Sequence, residues 1–419
     1  MTDITSKTAP GRTAAFGFIF ASATMNAISF GLMIPVLPTL LKAFVGGDTA
    51  RAADWNVLFA VTWGTMQFLW GPVLGLLSDR FGRRPVMLIS IFGLGVDFLV
   101  MAFAPSIAWL LVGRILNGLT AASFSTANAY VADVTPPEDR ARRYGMMGSA
   151  FGFGFLVGPV LGGSLALINI RLPFMVAAAL ALANGLYGFF ILPESLPPER
   201  RTPRFEWRKA NPIASLRFLS EHGSLLGLAG IYFLFMLSQS VWPNVFVLYA
   251  SYRFHWNTAM IGVMMMVTGG SGILTQMFLV GPAAKRFGER GVLLIGAACS
   301  AINMIIAGLA PTGLYYFIGM PFGAFANFLQ AGLLGLMTRR VLPTEQGRLQ
   351  GSNQSIQGIT SILGPLLYGL TFAWAVRNDA AWHMSGLPIL ISAGLLIVAF
   401  GVGLRVATSV PDAVFSPAE

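Results

Sequence analysis

Two residues pose a chemical question before any others. Asp97 and Arg114 are ionisable, and each lies within a long apolar run. Asp97 comes 12 residues after Pro85, roughly 18 Å along a helix that rises about 1.5 Å per residue. It precedes Pro105 by eight residues, and Arg114 follows Ser106 by eight. On adjacent antiparallel helices the two therefore reach similar depth. An unpaired arginine at the centre of a membrane helix costs about 2.5–3.5 kcal/mol. A neighbouring carboxylate offsets much of that cost. A carboxylate that can exchange its arginine for a proton can also couple proton movement to a conformational change. The spacing thus leaves three readings, a static structural pair, a proton-coupling pair, or two unpaired groups.

A second constellation is the stretch GLLSDRFGRRP, Gly75 to Pro85. It sets Asp79 against Arg80, Arg83 and Arg84 in a short turn containing Gly82. Asp133 closes another apolar run, within reach of Arg80 and Arg83 if the flanking helices pack together. Charges at a membrane surface pair or hydrate at similar free energy. The cluster is therefore bistable, and Arg84 is expected to serve mainly as a topology anchor. A third set is Gly154, Gly158, Pro159, Gly162 and Gly163. Small residues four apart let another helix backbone approach closely, and Pro159 removes a helix hydrogen bond. The glycines lie inside an apolar helix without strand–turn–helix context, which excludes a nucleotide loop.

The remaining candidates are uncharged. Asn26, Asn117, Tyr232, Gln239, Trp242, Asn327 and Gln330 interrupt apolar runs and are candidate substrate contacts. Each is weighed against ordinary helix packing. His222, His255 and His383 lie far apart, and Cys299 sits alone in an apolar run. No nucleophile–base set or metal cluster is legible, so neither an enzyme, a cofactor nor a metal is expected.

These residues need helices in a membrane to position them. Of 419 residues, 55% are hydrophobic and only 11% charged; soluble proteins average about 25% charged. Twelve apolar runs, from 14–41 to 387–407, approach the roughly 20 residues a span requires. Lipid offers the backbone no partners, so the runs should be helical. The net charge of +10 is spread over short loops, with no basic face for nucleic acid. Lys and Arg concentrate at the ends of the even-numbered runs and at both termini. That distribution predicts both termini on the cytoplasmic side of a bacterial inner membrane. The Pro- and Arg-rich segment 193–223 divides a bundle at 1–192 from another at 224–419, with a surface helix expected near 211–220.

The chain also repeats itself. One offset of 206 residues carries Arg80-Phe81-Gly82 onto Arg286-Phe287-Gly288, Arg84 onto Arg290, and Gly158-Pro159 onto Gly364-Pro365. It carries Asp79 onto Lys285, so the acid belongs to the first half alone. Two parallel six-helix repeats are a known transporter architecture, with the site near the midplane between them.

The motifs carry a resemblance. GLLSDRFGRRP is similar to the signature loop of the major facilitator superfamily. GFLVGPVLGG (154–163) resembles the fifth-helix motif of its drug/proton antiporters. GLMIPVLP (31–38), GRILNG (113–118) and YVADVTPPEDRAR (130–142) resemble the tetracycline-resistance efflux branch. The resemblance implies a twelve-helix fold, a cytoplasmic latch around Asp79, and a fifth-helix motif tied to export direction. It also implies a cavity lined by the first, fourth, seventh and tenth helices. Two departures stand out. Asn26 occupies a first-helix position that is acidic in those exporters, and the ninth helix offers Ser300 and Asn303 but no acid. Both weigh against tetracycline itself as cargo.

The expected activity is proton-coupled export of a small amphipathic drug or metabolite. The partners are substrate, protons and the lipid bilayer, and the chain is expected to act as a monomer. Import or facilitated diffusion of a metabolite is the alternative in the same fold. A non-transporting receptor or scaffold is the alternative in another class.

Overall fold

The computed structural model describes residues 10–121, 123–135, 140–202, 219, 223–342 and 345–405. Among them every regular element is a helix. In chain order these are α1 (Pro10–Met33), α2 (Leu37–Phe44), α3 (Thr49–Phe81), α4 (Arg83–Phe103), α5 (Ile107–Thr120), α6 (Ser123–Val134), α7 (Arg140–Ile168) and α8 (Leu172–Ile191). There follow α9 (Gly223–Gln239), α10 (Val241–Arg253), α11 (Thr258–Phe278), α12 (Val280–Leu309), α13 (Gly313–Gly323), α14 (Ala326–Thr338), α15 (Gln346–Gly364), α16 (Leu370–Arg377), α17 (Asp379–Trp382) and α18 (Leu387–Arg405). Eleven segments are long and apolar enough to cross a membrane. The fourth expected span is divided into α5 and α6, each too short alone, and their succession makes the twelfth crossing. The surface helix expected near 211–220 lies, Leu219 apart, outside the described residues.

Proline chemistry accounts for several breaks. Pro35 cannot donate to the preceding turn, and α1 gives way to α2 there. Ile34 and Val36 instead donate to carbonyls three residues back, at 3.3 and 3.0 Å. Pro365 opens a wide turn, Pro365–Gly369, between α15 and α16. Glycine makes the two repeat-related turns. Gly82, before α4, has φ +108°, and Gly288, inside α12, has φ +68°. Both values lie where side chains with a Cβ are strained.

Contacts divide the chain into two compact units, Met1–Val36 with Leu69–Ala210, and Leu37–Phe68 with Asn211–Glu419. Residues Leu37–Phe68 thus join the second unit, whereas the sequence places them in a first bundle at 1–192. The reason is specific bonding. Asn56 donates to the Asn244 carbonyl at 2.9 Å, and Arg377 pairs with Asp54. In the first unit, α7 crosses α1 with backbones nearly touching. A Cβ on Gly158 would lie 2.6 Å from the Gly31 Cα, and one on Gly162 would lie 2.8 Å from the Leu32 Cα. Gly154 is equally tight against Ala27. The four-residue glycine spacing is therefore the seam along which α7 meets α1, with Pro159 inside the helix and Gly163 buried beside it.

The first unit keeps an apolar core of Phe16, Ile19, Met87, Ile91, Tyr130 and Val131. The core of the second unit runs through Leu225, Leu248, Leu293, Leu333, Phe372 and Leu396. Both cores rest on side chains from several helices, so they fix the positions of the polar residues discussed next.

Candidate functional site

Asp97 on α4 and Arg114 on α5 form an ion pair deep in the first unit. Asp97 is fully buried and Arg114 is 4% exposed. Among the described residues no other charged side chain is buried. The Arg114 Nη2 donates to Asp97 Oδ2 and lies 3.6 Å from the Met101 Sδ. Asn117, one turn further along α5, acts on the same carboxylate. Gly113 makes the approach feasible, because a Cβ there would stand 2.6 Å from Asp97 Oδ1. Sequence reasoning did not mark Gly113. The signal was its place beside Arg114 on the turn that faces Asp97.

The charged loop of the same unit is built around Arg83. Its Nη1 donates to Asp79 Oδ1 at 2.5 Å and to the Ser78 hydroxyl at 3.1 Å. Its Nε donates to Asp133 Oδ2 at 3.1 Å. One guanidinium thus ties the end of α3 to the end of α6, using the fixed fork that suits arginine to two acceptors. Arg80 lies outside this set, with its guanidinium over the Phe81 ring at 5.2 Å. Arg84 donates to the Phe189 carbonyl at 2.6 Å. A Cβ on Gly75 would meet nothing.

Glu194, just beyond α8, was not foreseen. Its carboxylate accepts from the backbone N–H of Arg83 at 2.9 Å and of Arg84 at 3.3 Å. These are among the first, otherwise unpaired donors of α4. It also accepts from Ser195 and Leu196 at 2.9 and 3.0 Å. Gly82 is required beside it, since a Cβ there would fall 2.7 Å from the Glu194 Cδ. Ser195 donates its hydroxyl to Asp133 at 3.1 Å, and Thr202 N–H donates to the Asp79 carbonyl at 3.1 Å. The segment after α8 therefore clasps the loop. Only its Pro-Glu-Ser composition hinted at a turn. Glu194→Ala removes a cap worth about 0.5–2 kcal/mol. It should lower the melting temperature of the purified protein, read by thermal unfolding.

The second unit carries the repeat of this loop with opposite polarity. The offset of 206 puts Glu289 where the first unit has Arg83, and Arg339 where it has Asp133. Arg339 Nη2 and Glu289 Oε1 pair at 2.8 Å. Glu289 follows Gly288 as Arg83 follows Gly82. The two halves thus share one bridge position and reverse its charges.

The uncharged candidates are distributed between the units. In the first, Asn184 on α8 donates to the Ser22 hydroxyl at 3.0 Å and to Asn26 Oδ1 at 3.2 Å. Asn184 is fully buried and was missed because a single Asn in an apolar run reads as packing. Asn117 is buried beside the ion pair. In the second, Tyr232 is buried and Gln239 Oε1 is buried with no hydrogen-bond partner. Trp242 packs edge-on to Phe246 at 5.7 Å. Asn327 donates to the Gly272 carbonyl at 3.1 Å, and Gln330 is half-buried.

A sequence profile of the Major Facilitator Superfamily matches residues 19–365 and again 228–419. The chain belongs to the major facilitator superfamily. This facilitator is 38% identical to the tetracycline resistance protein, class C, of Escherichia coli, over 91% of its own length and 94% of that protein. It is 27% identical to multidrug resistance protein 2 of Bacillus subtilis (strain 168), over 91% and 94%. Its fold matches a bacterial homologue of the human lysosomal transporter Spinster in an inward-facing, unoccupied conformation. That match has a TM-score of 0.76 at 16% identity and covers 98% of this chain and 99% of the other. The human organic anion transporter MFSD10 aligns with a TM-score of 0.69 at 24% identity, over 94% and 100%. The facilitator is accordingly a multi-pass membrane protein with the all-helical, twelve-span architecture.

Proposed function

We propose that this facilitator is a proton-coupled antiporter that exports a small amphipathic drug or metabolite from a bacterial cell, with both termini cytoplasmic. The observation that carries this reading is the buried Asp97–Arg114 pair. A carboxylate held by one arginine has two low-energy conditions in a dry site. It is ionised and paired, or it is protonated and released from its partner. A proton arriving from outside favours the second condition and frees α4 from α5. Loss of that proton to the cytoplasm restores the pair and resets the carrier. One cycle thus moves a proton inward as the substrate moves outward, and a single copy of the chain suffices.

The loop around Arg83 supplies the second requirement, a closure that opens once per cycle. In this reading Asp79, Arg83 and Asp133 hold the cytoplasmic side when it is shut, with Gly82 making the turn and Gly75 and Arg80 on the helix that leads into it. The seam of Gly154, Gly158, Gly162 and Gly163 lets α7 slide on α1 without losing contact. Asn26, Asn117, Tyr232, Gln239, Trp242, Asn327 and Gln330 are the proposed substrate contacts, among which the unsatisfied Gln239 Oε1 is an acceptor awaiting a donor. Relatives named for tetracycline and multidrug resistance support a drug as cargo. Asn26 is held by Asn184 rather than charged, which favours an uncharged or weakly charged substrate over a metal complex.

The reading is tested in an efflux-deficient bacterial host expressing the chain. Tolerance to one or more amphipathic antibiotics should rise, and uncouplers of the proton gradient should abolish the rise. No gain against a broad amphipathic panel would direct the assignment to a metabolite instead, and a gain insensitive to uncouplers would contradict proton coupling.

A further inference from the structure

Far along the chain from the ion pair and the Arg83 loop, a cavity of about 400 Å³ opens in the second unit. It is lined by Lys42, Ser251, Tyr252, Arg253, His255 and Asp379. Three parts of the chain contribute, namely α2, the last turn of α10 with the turn that follows it, and α17. α2 and α10 end the first and seventh of the twelve spans and α17 lies between the last two, so all three are at the end opposite to the Arg83 loop and face the outside if the termini are cytoplasmic. The lining is charged at an end of the protein that is otherwise poor in Lys and Arg.

The charges are not spent on each other. Among the described residues neither Lys42 nor Arg253 has an ion-pair partner. Arg253 is held in place through Nε, which donates to the Ala310 carbonyl at 3.3 Å, leaving its terminal nitrogens available. The single acid, Asp379, accepts from the Tyr252 hydroxyl through Oδ2 at 3.0 Å. Its other oxygen, Oδ1, is buried without any hydrogen-bond partner. A buried acceptor left empty is destabilising until a donor meets it. His255 adopts φ +55°, a conformation costly for a residue with a Cβ. His255 lines the cavity two residues after Arg253.

These features ask for a ligand with two parts. Two unpaired cations call for an acid group, and the empty Asp379 Oδ1 calls for a donor beside it. We propose that this cavity binds a small anion carrying a carboxylate or phosphate next to a hydroxyl. Its acid group lies between Lys42 and Arg253, and its hydroxyl donates to Asp379. The volume suits a molecule of about ten heavy atoms, well within the range of small-ligand pockets. Binding bridges α2 to α10 and α17, so an occupied site holds these connections together. The same chemistry is presented by a free hydroxy acid and by the glycerol-phosphate headgroup of an anionic lipid.

The test uses the full chain in phosphatidylcholine nanodiscs, with citrate and tricarballylate as probes in titration calorimetry. The two differ only in the hydroxyl. Citrate should bind, and tricarballylate should bind about tenfold more weakly, the value of one hydrogen bond to a charged acceptor. Lys42→Gln and Arg253→Gln should each weaken citrate at least about tenfold. Asp379→Asn should erase the preference for citrate while strengthening tricarballylate, because a repelling charge is gone. Repeating the titration in phosphatidylglycerol discs separates the sources: loss of citrate binding identifies the lipid headgroup, and unchanged binding identifies a free acid. Absence of citrate binding in phosphatidylcholine discs, or binding indifferent to both cation variants, overturns the proposal.

Discussion

Asp97→Asn should abolish proton-driven export, by at least about 100-fold, and should also destabilise the protein. The two effects have different origins and can be separated. Asn cannot carry a proton between the two sides, so coupling is lost whatever the stability. Removing the carboxylate also leaves Arg114 charged and unpaired in a site where it is 4% exposed. Breaking a buried pair in this way costs roughly 3–5 kcal/mol. Removing both charges, in Asp97→Asn with Arg114→Gln, is close to neutral for a buried pair because the desolvation cost disappears with them. The double variant should therefore recover its melting temperature and remain inactive in proton-driven transport. If it recovers transport as well as stability, the pair is structural and the proton travels elsewhere.

The second large effect is expected at the charged loop. Arg83→Glu places a third acid beside Asp79 and Asp133, both of which Arg83 now holds. The end of α3 and the end of α6 should then repel, and export should fall at least about tenfold. Only ~1.4 kcal/mol of altered balance between two conformations is needed for that. The second unit suggests the rescue. Its bridge between Glu289 and Arg339 has the opposite polarity at matching positions of the repeat. Adding Asp133→Arg and Asp79→Lys to Arg83→Glu rebuilds that polarity in the first unit. The triple variant should regain most of the lost rate in a vesicle transport assay. The bridge, on this account, needs complementary charges and not a particular sign. Glu194 limits the recovery little, because it bonds to backbone N–H groups and not to the Arg83 side chain.

Much of this was legible in the sequence, for a physical reason. In a membrane each charge is costly, so the few that persist point to their own partners. Asp97 and Arg114 could be matched by depth alone, since helix rise is fixed. The glycines of α7 announced a close helix contact, though only the structure named Gly31 of α1 as the other side. The turn positions Gly82 and Gly288 followed from the repeat and share positive φ.

What escaped was contact that no periodicity encodes. Arg80 and Arg83 look equivalent in GLLSDRFGRRP, yet only Arg83 follows the turn at Gly82 and so points back towards Asp79 and Asp133. Glu194 lies 111 residues from the N–H it caps, and a lone Glu after a span reads as solvated. Asn184 acts on Asn26 from another helix, at a separation of 158 residues. Residues Leu37–Phe68 lie early in the chain and read as part of a first bundle. Their place in the second unit rests on bonds such as Asn56 to Asn244, 188 residues apart. The sign reversal between Arg83 and Glu289 was visible in the repeat, but its partner Arg339 needed coordinates.

The central claim is that Asp97 carries the proton that export consumes. The most direct measurement is proton flux in proteoliposomes without a membrane potential, using an interior pH dye and a drug chosen from the tolerance screen. A drug gradient imposed across the wild-type protein should drive protons in the opposite direction. Asp97→Asn with Arg114→Gln should bind the drug and move no protons. Equal drug-driven proton flux in the wild type and the double variant would contradict the account.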